Sequence, residues 1–301
     1  MLKKLNTLFF LAVLAVLPGC LPSRIAIDLA PSDGELAESV VIRDGDAKAF
    51  SQSNKVALIP VTGIISESPQ GGLIRSNSNT VDRVVRQLER AAKDDHVKAI
   101  ILRIDSPGGT VAASETLALE LARFRTETDK PIVISMATVC ASGGYYIALA
   151  GDEIIAQRSS ITGSVGVLIQ TINFSEGLRR LGIVAPAVTS DDNKNIASPL
   201  EPINDKHYAI LQSMVDTFYA DFRNRVLEKR GDRISDPDTT LDGRVFTGEQ
   251  ALEAGLVDRL GLLRDAYIRA KELADLEDAV LVRYHRKGAT VRTPYSATAS
   301  A

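Results

Sequence analysis

A serine at the junction of a strand and a helix is the first residue of this chain whose type and place suggest chemistry. Residues 138–148 read Thr-Val-Cys-Ala-Ser-Gly-Gly-Tyr-Tyr-Ile-Ala, so Ser142 precedes two glycines. The apolar run 131–137 predicts a buried strand, and 145–150 predicts a helix. Backbone N–H groups and the positive end of the helix dipole suit a nucleophile beside which an oxyanion develops. A serine that only caps the helix fits the same place, and this segment alone favours the cap.

A serine nucleophile needs a base, because a free hydroxyl is a weak nucleophile at neutral pH. Histidine is the usual base, but His96, His207 and His285 are each interpreted as surface residues. The alternative is a lysine whose pKa is lowered by burial. Lys194 is the candidate, since it lies in a loop between a predicted strand and a long predicted helix. Two aspartates earlier in that loop favour a solvated lysine, so local charge alone does not select it.

An oxyanion would also need backbone N–H donors from a second segment. Residues 106–109, Ser-Pro-Gly-Gly, directly follow a predicted strand. Glycine allows a substrate carbonyl to approach closely and permits positive φ. An ordinary turn explains the same residues equally well.

The elements that would position these residues alternate between strands and helices, which predicts an α/β fold with a parallel sheet of βα units. Thr80 is expected to cap the first helix, and one face of the long helix is expected to be apolar. The predicted strands are 55–66 (broken at Pro60 and Gly63), 97–105, 131–137, 153–157, 184–188 and 280–284. The predicted helices are 80–94, 112–125, 145–150, 175–181, about 205–230, 246–258 (ended by Gly255) and 263–273. The apolar face of the long helix comprises Ile210, Leu211, Met214, Phe218, Phe222 and Val226.

Composition excludes several classes of function. The chain has 301 residues, is 45% hydrophobic and carries a net charge of −3, so it can bury a sizeable core but lacks the basic surface that nucleic-acid binding requires. Two cysteines and three scattered histidines exclude a zinc signature. Neither GxGxxG nor GxxxxGK[ST] is present. We therefore expect no metal and no cofactor.

The N-terminus predicts export. Two lysines precede the apolar run 8–17, which is shorter than the about 20 residues that span a bilayer but suits a signal peptide. Pro-Gly-Cys20 follows at once and resembles a bacterial lipobox, so we expect lipidation of Cys20 and anchorage on the periplasmic side of a bacterial envelope. An ordinary secretory signal with an accidental cysteine is the alternative. A disulfide with Cys140 is disfavoured.

These patterns divide the chain into four parts. We expect a signal peptide over 1–20, a linker over 21–54, the folded domain over 55–275, and a strand followed by a disordered tail over 276–301.

Five motifs in order, from about Lys55 to Leu273, resemble the bacterial signal peptide peptidase A family of serine proteases, in its short single-unit form. They are Asp105-Ser-Pro-Gly-Gly109, Ala141-Ser-Gly-Gly-Tyr-Tyr-Ile-Ala148, Thr162-Gly-Ser-Val-Gly166, Lys194-Asn-Ile-Ala-Ser-Pro199 and Arg244-Val-Phe-Thr-Gly-Glu-Gln-Ala-Leu-Glu-Ala-Gly-Leu-Val-Asp258.

The resemblance implies a fold and roles for particular residues. The fold would be that of the Clp protease and crotonase superfamily, a superhelix of repeated ββα units. Ser142 would be the nucleophile, Lys194 the general base, and Ser164 the hydroxyl that holds the lysine amine. The oxyanion hole would be formed by backbone N–H groups of Gly108 or Gly109 and of Gly143.

The resemblance also implies an assembly and a substrate. In short members the lysine can come from a neighbouring subunit, and the family forms closed, membrane-facing rings that cleave apolar peptides such as remnant signal peptides. This chain differs from the family pattern in having Asn195 where aspartate is common and Cys140 where a small residue is common. It also has a lipobox-like start where a transmembrane anchor is usual.

Two other functions fit the same fold. A crotonase-like enzyme would act on acyl-thioesters with acidic catalysts, but the export signal argues against it because coenzyme A is cytosolic. A non-catalytic lipoprotein scaffold would not need Ser142, Lys194 and Ser164 together.

Overall fold

A computed structural model describes residues 36–44, 53–68, 79–287 and 289–296 of the chain. Its strands are β1 (Leu36–Arg43), β2 (Lys55–Thr62), β3 (Val97–Ser106), β4 (Ile132–Ala141), β5 (Glu153–Ala156), β6 (Ile161–Gly163), β7 (Val245–Thr247), β8 (Arg259–Leu260) and β9 (Val280–Arg286). Its helices are α1 (Thr80–Lys93), α2 (Val111–Thr128), α3 (Gly143–Ala148), α4 (Ser175–Arg180), α5 (Asp205–Arg230), α6 (Pro237–Thr240), α7 (Gly248–Glu253) and α8 (Leu263–Leu273).

The strands form one sheet in the order β1-β9-β2-β3-β4-β5-β8, and β6 joins the end of β4 to β7. The pairings along the main path are parallel except β1 with β9. The chain passes from strand to helix between β2, α1, β3, α2, β4 and α3. The predicted α/β class is confirmed.

After β2, β3 and β4, the chain forms short additional β-pairings before the next helix begins. Ile65, after β2, bridges in parallel to Gly109, after β3. The last three residues of β4 pair in parallel with β6 instead of continuing along β5. The segments that enter α2 and α3 therefore meet beside each other at the carboxyl ends of β3 and β4, where ligands bind in open α/β sheets.

The sheet is covered on both faces because alternate side chains of its central strands point to opposite sides. Ile100, Leu102 and Ile104 of β3 pack in the layer that contains α1, α2 and α3. Ala99 and Ile101 of the same strand pack in the layer that contains α8. The nearly continuous apolar runs in the central strands are explained by this burial on two faces.

Two local expectations were wrong. Asn79, not Thr80, caps α1, since its side chain accepts a hydrogen bond from the N–H of Asp82 while the Thr80 hydroxyl donates to the carbonyl of Ile64. β2 also continues through Pro60. Pairing of β2 with β9 ends at Leu58, so β2 has a strand on only one side there, where proline is tolerated.

The expected helix over 246–258 is instead a short strand followed by the short helix α7. Thr247 begins α7 with a capping box completed by Gln250. Gly255 adopts φ +79°, and a Cβ there would lie 2.2 Å from the carbonyl oxygen of Arg233. Gly255 therefore ends the helix as predicted, since its positive φ favours glycine directly after the C-cap residue, whereas the helix begins later than predicted, at Gly248.

Asp258, the last residue of the same motif, stabilises the fold. Its carboxylate pairs with Arg230 at 3.1 Å and with Arg233, and it accepts the N–H of Ile154 at 2.7 Å. Burial opposes ionisation, but the bonds from Arg230 and Ile154 outweigh it and lower the pKa of Asp258. This motif thus ties β5 to the end of α5.

We define the arm as residues 167–214. It is the part of the domain where the predictions made from apolar residues failed. The strand expected over 184–188 is irregular chain, and Val184 and Val188 are 83% and 102% exposed. On α5, Phe222 and Val226 of the predicted apolar face are buried, whereas Ile210 and Met214 are exposed. The apolar pattern of the arm therefore has no partner within the described part of this chain.

The ends of the described chain also differ from expectation. Residues 36–43, within the expected linker, form β1 at the edge of the sheet. Residues of the expected disordered tail contact the domain: Arg283 donates to the carbonyl of Ser296, and the Arg103 guanidinium lies 5.6 Å from the Tyr295 ring. The predicted signal peptide and Cys20 lie outside the described residues. No helix in the described ranges is long and apolar enough to cross a membrane.

Candidate active site

Ser142 sits between β4 and α3 in a backbone conformation that serine rarely adopts. Its φ and ψ are 51° and −123°, and its side chain makes no capping hydrogen bond to α3. Such conformations cost about 1–3 kcal/mol and persist where the surroundings impose them, often at active sites. Here the Ser142 N–H donates to the carbonyl of Gly163 at 2.9 Å, and its carbonyl accepts from Tyr146 at 2.9 Å. Ser142 therefore occupies the N-cap position of α3, but its side chain does not cap the helix.

Two backbone N–H groups lie beside Ser142. The Gly108 carbonyl accepts from Ile65 at 2.9 Å. Because the peptide is planar and trans, the N–H of Gly109 points away from Ile65. A Cβ built on Gly143 would lie 3.2 Å from the Gly109 nitrogen, so the N–H of Gly109 lies next to the start of α3.

Of the two glycines in the loop 106–109, only one has a backbone N–H that could bind an oxyanion. The N–H of Gly108 donates to the Ser106 hydroxyl at 3.1 Å and is occupied. A Cβ built on Gly108 would lie 2.9 Å from the Gly143 nitrogen and 3.0 Å from the Ser142 Cβ. Of the two glycines that the sequence left open, Gly109 is the one whose N–H can meet an oxyanion together with Gly143. Gly108 has a different role: because it has no side chain, the space between Ser142 and the Gly143 nitrogen stays open.

A cavity of about 110 Å³ opens beside Ser142. Tyr146, Phe218 and Phe222 line it, and the rings of Tyr146 and Phe222 meet edge to face at 5.1 Å. The exposed carboxylates of Glu115 and Asp221 also border it. An apolar side chain next to a reacting carbonyl would find aromatic walls in this cavity.

Ser164 is brought close to Ser142 through the backbone. It follows Gly163, whose carbonyl accepts the Ser142 N–H, and its own N–H donates to Arg244 at 2.7 Å. Ser164 also has a positive φ, 52°, and is half-buried. The two predicted serines therefore meet at the junction of β4 and β6.

Lys194 is not brought to this site within one chain. It is exposed, and it is absent from the lining of the Ser142 cavity. His207 in the first turn of α5 binds the carbonyl of Asp192 at 2.8 Å, which holds the lysine loop at that end of the helix. Phe222, which contacts Tyr146, follows His207 by 15 residues, so the loop is held about 22 Å along α5 from that contact.

Sequence reasoning missed two features of this region. His207 is only 8% exposed and hydrogen-bonded, so its interpretation as a surface histidine was wrong. Phe218 and Phe222 belong to the predicted apolar face of α5, but the sequence did not indicate that they also line the cavity beside Ser142. The signal available for His207 was its place in the first turn of a helix directly after the lysine loop.

The described residues offer neither an exposed cysteine nor a cluster of metal ligands. Cys140 is a free thiol with no exposed surface, and burial raises its pKa. Within the described ranges, no group of three or more histidine, cysteine, aspartate or glutamate residues could hold a metal ion.

Comparison with known proteins gives consistent matches. Residues 125–277 match the family described as Peptidase family S49. The chain is 31% identical over 234 residues to a protein named putative signal peptide peptidase SppA from Enterococcus faecium, covering 78% of this chain and 68% of that protein. It is 33% identical to Protease 4 from Haemophilus influenzae, covering 75% of this chain and 36% of that protein. A solved structure, a mutant of the 1510-N membrane-bound stomatin-specific protease, matches with a TM-score of 0.42 and 16% identity, covering 73% of this chain and 85% of that chain.

Proposed function

Because the chain belongs to peptidase family S49 and is a serine protease, we propose that it cleaves peptides with a dyad of Ser142 and Lys194. The observation that carries the proposal is the strained backbone of Ser142, which places this serine beside the N–H groups of Gly109 and Gly143. A strained serine at a strand-to-helix turn, next to convergent N–H donors, is the arrangement that acyl transfer requires.

The chemistry follows from the roles of these groups. The Lys194 amine takes the proton of the Ser142 hydroxyl as Oγ attacks the peptide carbonyl carbon. The N–H groups of Gly109 and Gly143 bind the resulting oxyanion, which is stabilised most at the transition state. Lys194 returns the proton to the leaving amine, and a water molecule deprotonated by Lys194 then hydrolyses the acyl-enzyme. Ser164 orients the lysine amine by a hydrogen bond.

The base would come from a second copy of the chain. The separation of about 22 Å along α5 argues against delivery of Lys194 to the Ser142 of its own chain. The arm also exposes apolar side chains of a kind that mark interaction sites, including Leu168, Leu181 and Val184 at 79%, 75% and 83% exposure. A head-to-tail contact in which each arm reaches the next subunit forms a ring when the rotation between neighbouring subunits closes.

The substrate would be an apolar peptide, such as a remnant signal peptide. The aromatic walls of the Ser142 cavity support this choice, as does the name of the Enterococcus faecium relative. The readout is the rate for peptides that differ in the residue before the scissile bond. A preference for charged over apolar residues there would contradict the proposal.

Membrane association would come from a lipid on Cys20. We expect Cys20→Ala to abolish incorporation of a fatty acid and to release the protein from the membrane fraction, while hydrolysis of a soluble peptide is unchanged. Metabolic labelling with an alkyne fatty acid and cell fractionation measure both effects. Retention of the label by Cys20→Ala would contradict this anchor.

Acylation by a fluorophosphonate probe tests the proposed function directly. We expect one label, on Ser142, lost in Ser142→Ala and kept in Ser114→Ala. Ser114 is the matched control because it lines the same cavity, but its hydroxyl donates to the carbonyl of Thr110 at 3.0 Å. Mass spectrometry of the labelled peptide locates the site. A crotonase-like enzyme or a scaffold predicts no label, and a label that survives Ser142→Ala would contradict Ser142 as the nucleophile.

A further inference from the structure

The loop that carries Lys194 is shaped by hydrogen bonds to its own chain. The N–H of Lys194 donates to Asp191 at 3.1 Å, and the N–H of Ser198 donates to Asn195 at 2.9 Å, so the loop is two consecutive turns. The Nε2 atom of His207, in the first turn of α5, contacts the main-chain carbonyl of Asp192 in this loop at 2.8 Å. Because a carbonyl oxygen only accepts, the Nε2 atom of His207 must carry the hydrogen of this bond.

Glu201 ties the other side of the loop. Its carboxylate accepts from the Asn195 side chain, and its main-chain carbonyl accepts from Asn173 at 2.7 Å. An aspartate at 195 would place a second carboxylate against Glu201, where like charges repel. Asn195 avoids this repulsion and donates a hydrogen bond to Glu201 instead. Two separate contacts, Asn195 with Glu201 and His207 with Asp192, therefore hold the lysine loop.

The loop lacks an apolar core of its own. A cleft of about 640 Å³ lies between the loop and the start of α5, and polar side chains including Asn193 and Asn204 line it. His207 is the buried residue of this region, with 8% exposure. Loss of one hydrogen bond would thus change the shape of the loop, because little packing opposes the change.

We propose that His207 is a positioning residue for the catalytic base: its hydrogen bond to the carbonyl of Asp192 sets the conformation in which Lys194 is presented. The inference rests on the proposed role of Lys194. A lysine that acts on a second copy cannot be arranged by residues around its own Ser142. Its geometry must be set beforehand by its own chain, and His207 is the buried side chain that contacts the loop.

The test compares three variants of the full chain. His207→Phe keeps an aromatic ring but removes the donor, so we expect kcat to fall about 10- to 100-fold with KM changed less than about twofold, as for a misplaced catalytic group. His207→Gln places an amide donor at the same reach and should restore most of the rate. His285→Phe is the matched control, since His285 is half-buried and, like His207, hydrogen-bonded, in its case to Ser39 at 2.8 Å, but lies on β9. We expect its kcat to be unchanged.

Amide hydrogen exchange gives a readout that does not depend on activity. Residues 192–198 should exchange faster in His207→Phe and not in His285→Phe, while the core strands keep their protection. If His207→Phe fails to fold or assemble, His207→Asn replaces it; its shorter amide does not reach the carbonyl of Asp192, so it should show the same loss of kcat with local loss of protection.

Three results would overturn the inference. They are a native kcat in His207→Phe, an equal loss of kcat in His207→Gln, or an equal loss in His285→Phe. The proposed function fails in a different way, by undiminished cleavage in Lys194→Ala, and that result would also overturn the role of His207. Loss of cleavage in Lys194→Ala with native kcat in His207→Phe would overturn the positioning role alone.

Discussion

Two inactive variants, Ser142→Ala and Lys194→Ala, should recover peptide hydrolysis when they assemble together. Ser142→Ala lacks the nucleophile, and Lys194→Ala should lose about 10²- to 10⁴-fold in kcat through loss of the general base. If the lysine acts on the neighbouring chain, a Lys194→Ala subunit still offers an intact Ser142, and a Ser142→Ala subunit still offers an intact Lys194. One such contact forms a complete site from two defective chains.

The size of the recovery follows from the symmetry of the assembly. In a randomly mixed ring with equal amounts of both variants, a contact is complete when the serine comes from one variant and the lysine from the other. With one serine and one lysine at each head-to-tail contact, about a quarter of the contacts qualify. Co-expression with two affinity tags, followed by sequential purification of mixed rings, gives the material, and the measurement is hydrolysis of an apolar fluorogenic peptide.

Two controls show whether a change in activity comes from complementation or from a defect in assembly. Each variant alone should assemble to the native mass, which size-exclusion chromatography with light scattering reports. Each variant mixed with the native chain should show activity in proportion to the complete sites. Mixed rings without activity, formed from variants that assemble normally, would show that Lys194 acts within its own chain.

Gly108→Ala should lower kcat by about 10²- to 10³-fold, which is the effect of removing one oxyanion donor. The added methyl group would lie 2.9 Å from the Gly143 nitrogen and 3.0 Å from the Ser142 Cβ. It would fill the space between Ser142 and the N–H groups of Gly109 and Gly143, where we propose that the oxyanion forms. Gly108 also adopts φ +113°, where alanine is strained, so some loss of stability is expected.

Gly63→Ala is the matched control for backbone strain. Gly63 has φ +75°, and a Cβ there meets no atom within 4 Å. Both variants should be destabilised by positive φ, but only Gly108→Ala should lose kcat and fluorophosphonate labelling. Urea unfolding measures the stability of both variants, and single-turnover kinetics measure acylation. Equal losses of kcat in the two variants would show that strain, and not the blocked space, causes the effect.

The elements that depend on local pattern were predicted well. Helix α8 was expected over 263–273 and α5 over about 205–230, and both are observed at these bounds. Helical hydrogen bonds and caps are made within the segment, so a sequence pattern can specify them. The strand expected over 184–188 failed because a strand needs a neighbouring strand, and the described chain offers none there.

The sequence by itself determined which residues are candidates: a serine followed by two glycines, a glycine loop after a strand, and a lysine loop before a long helix. Residue type and order along the chain are enough for that much. Whether Ser142 caps its helix, and which glycine N–H is free, depend on backbone angles and bonds to Gly163 and Ile65. These partners come from distant segments, so only the tertiary structure could decide them.

The tertiary structure also decided where Lys194 lies. The position of a loop depends on its contacts, and those of Asp192 with His207 and of Asn195 with Glu201 place this loop at the end of α5 that lies far from α3. Ser142 could be proposed from the sequence because five motifs in order carry the family resemblance, and residue type and order are enough to recognise them. The separation of Lys194 from Ser142 could not, because it arises from a rigid helix of 26 residues whose two ends contact different parts of the fold.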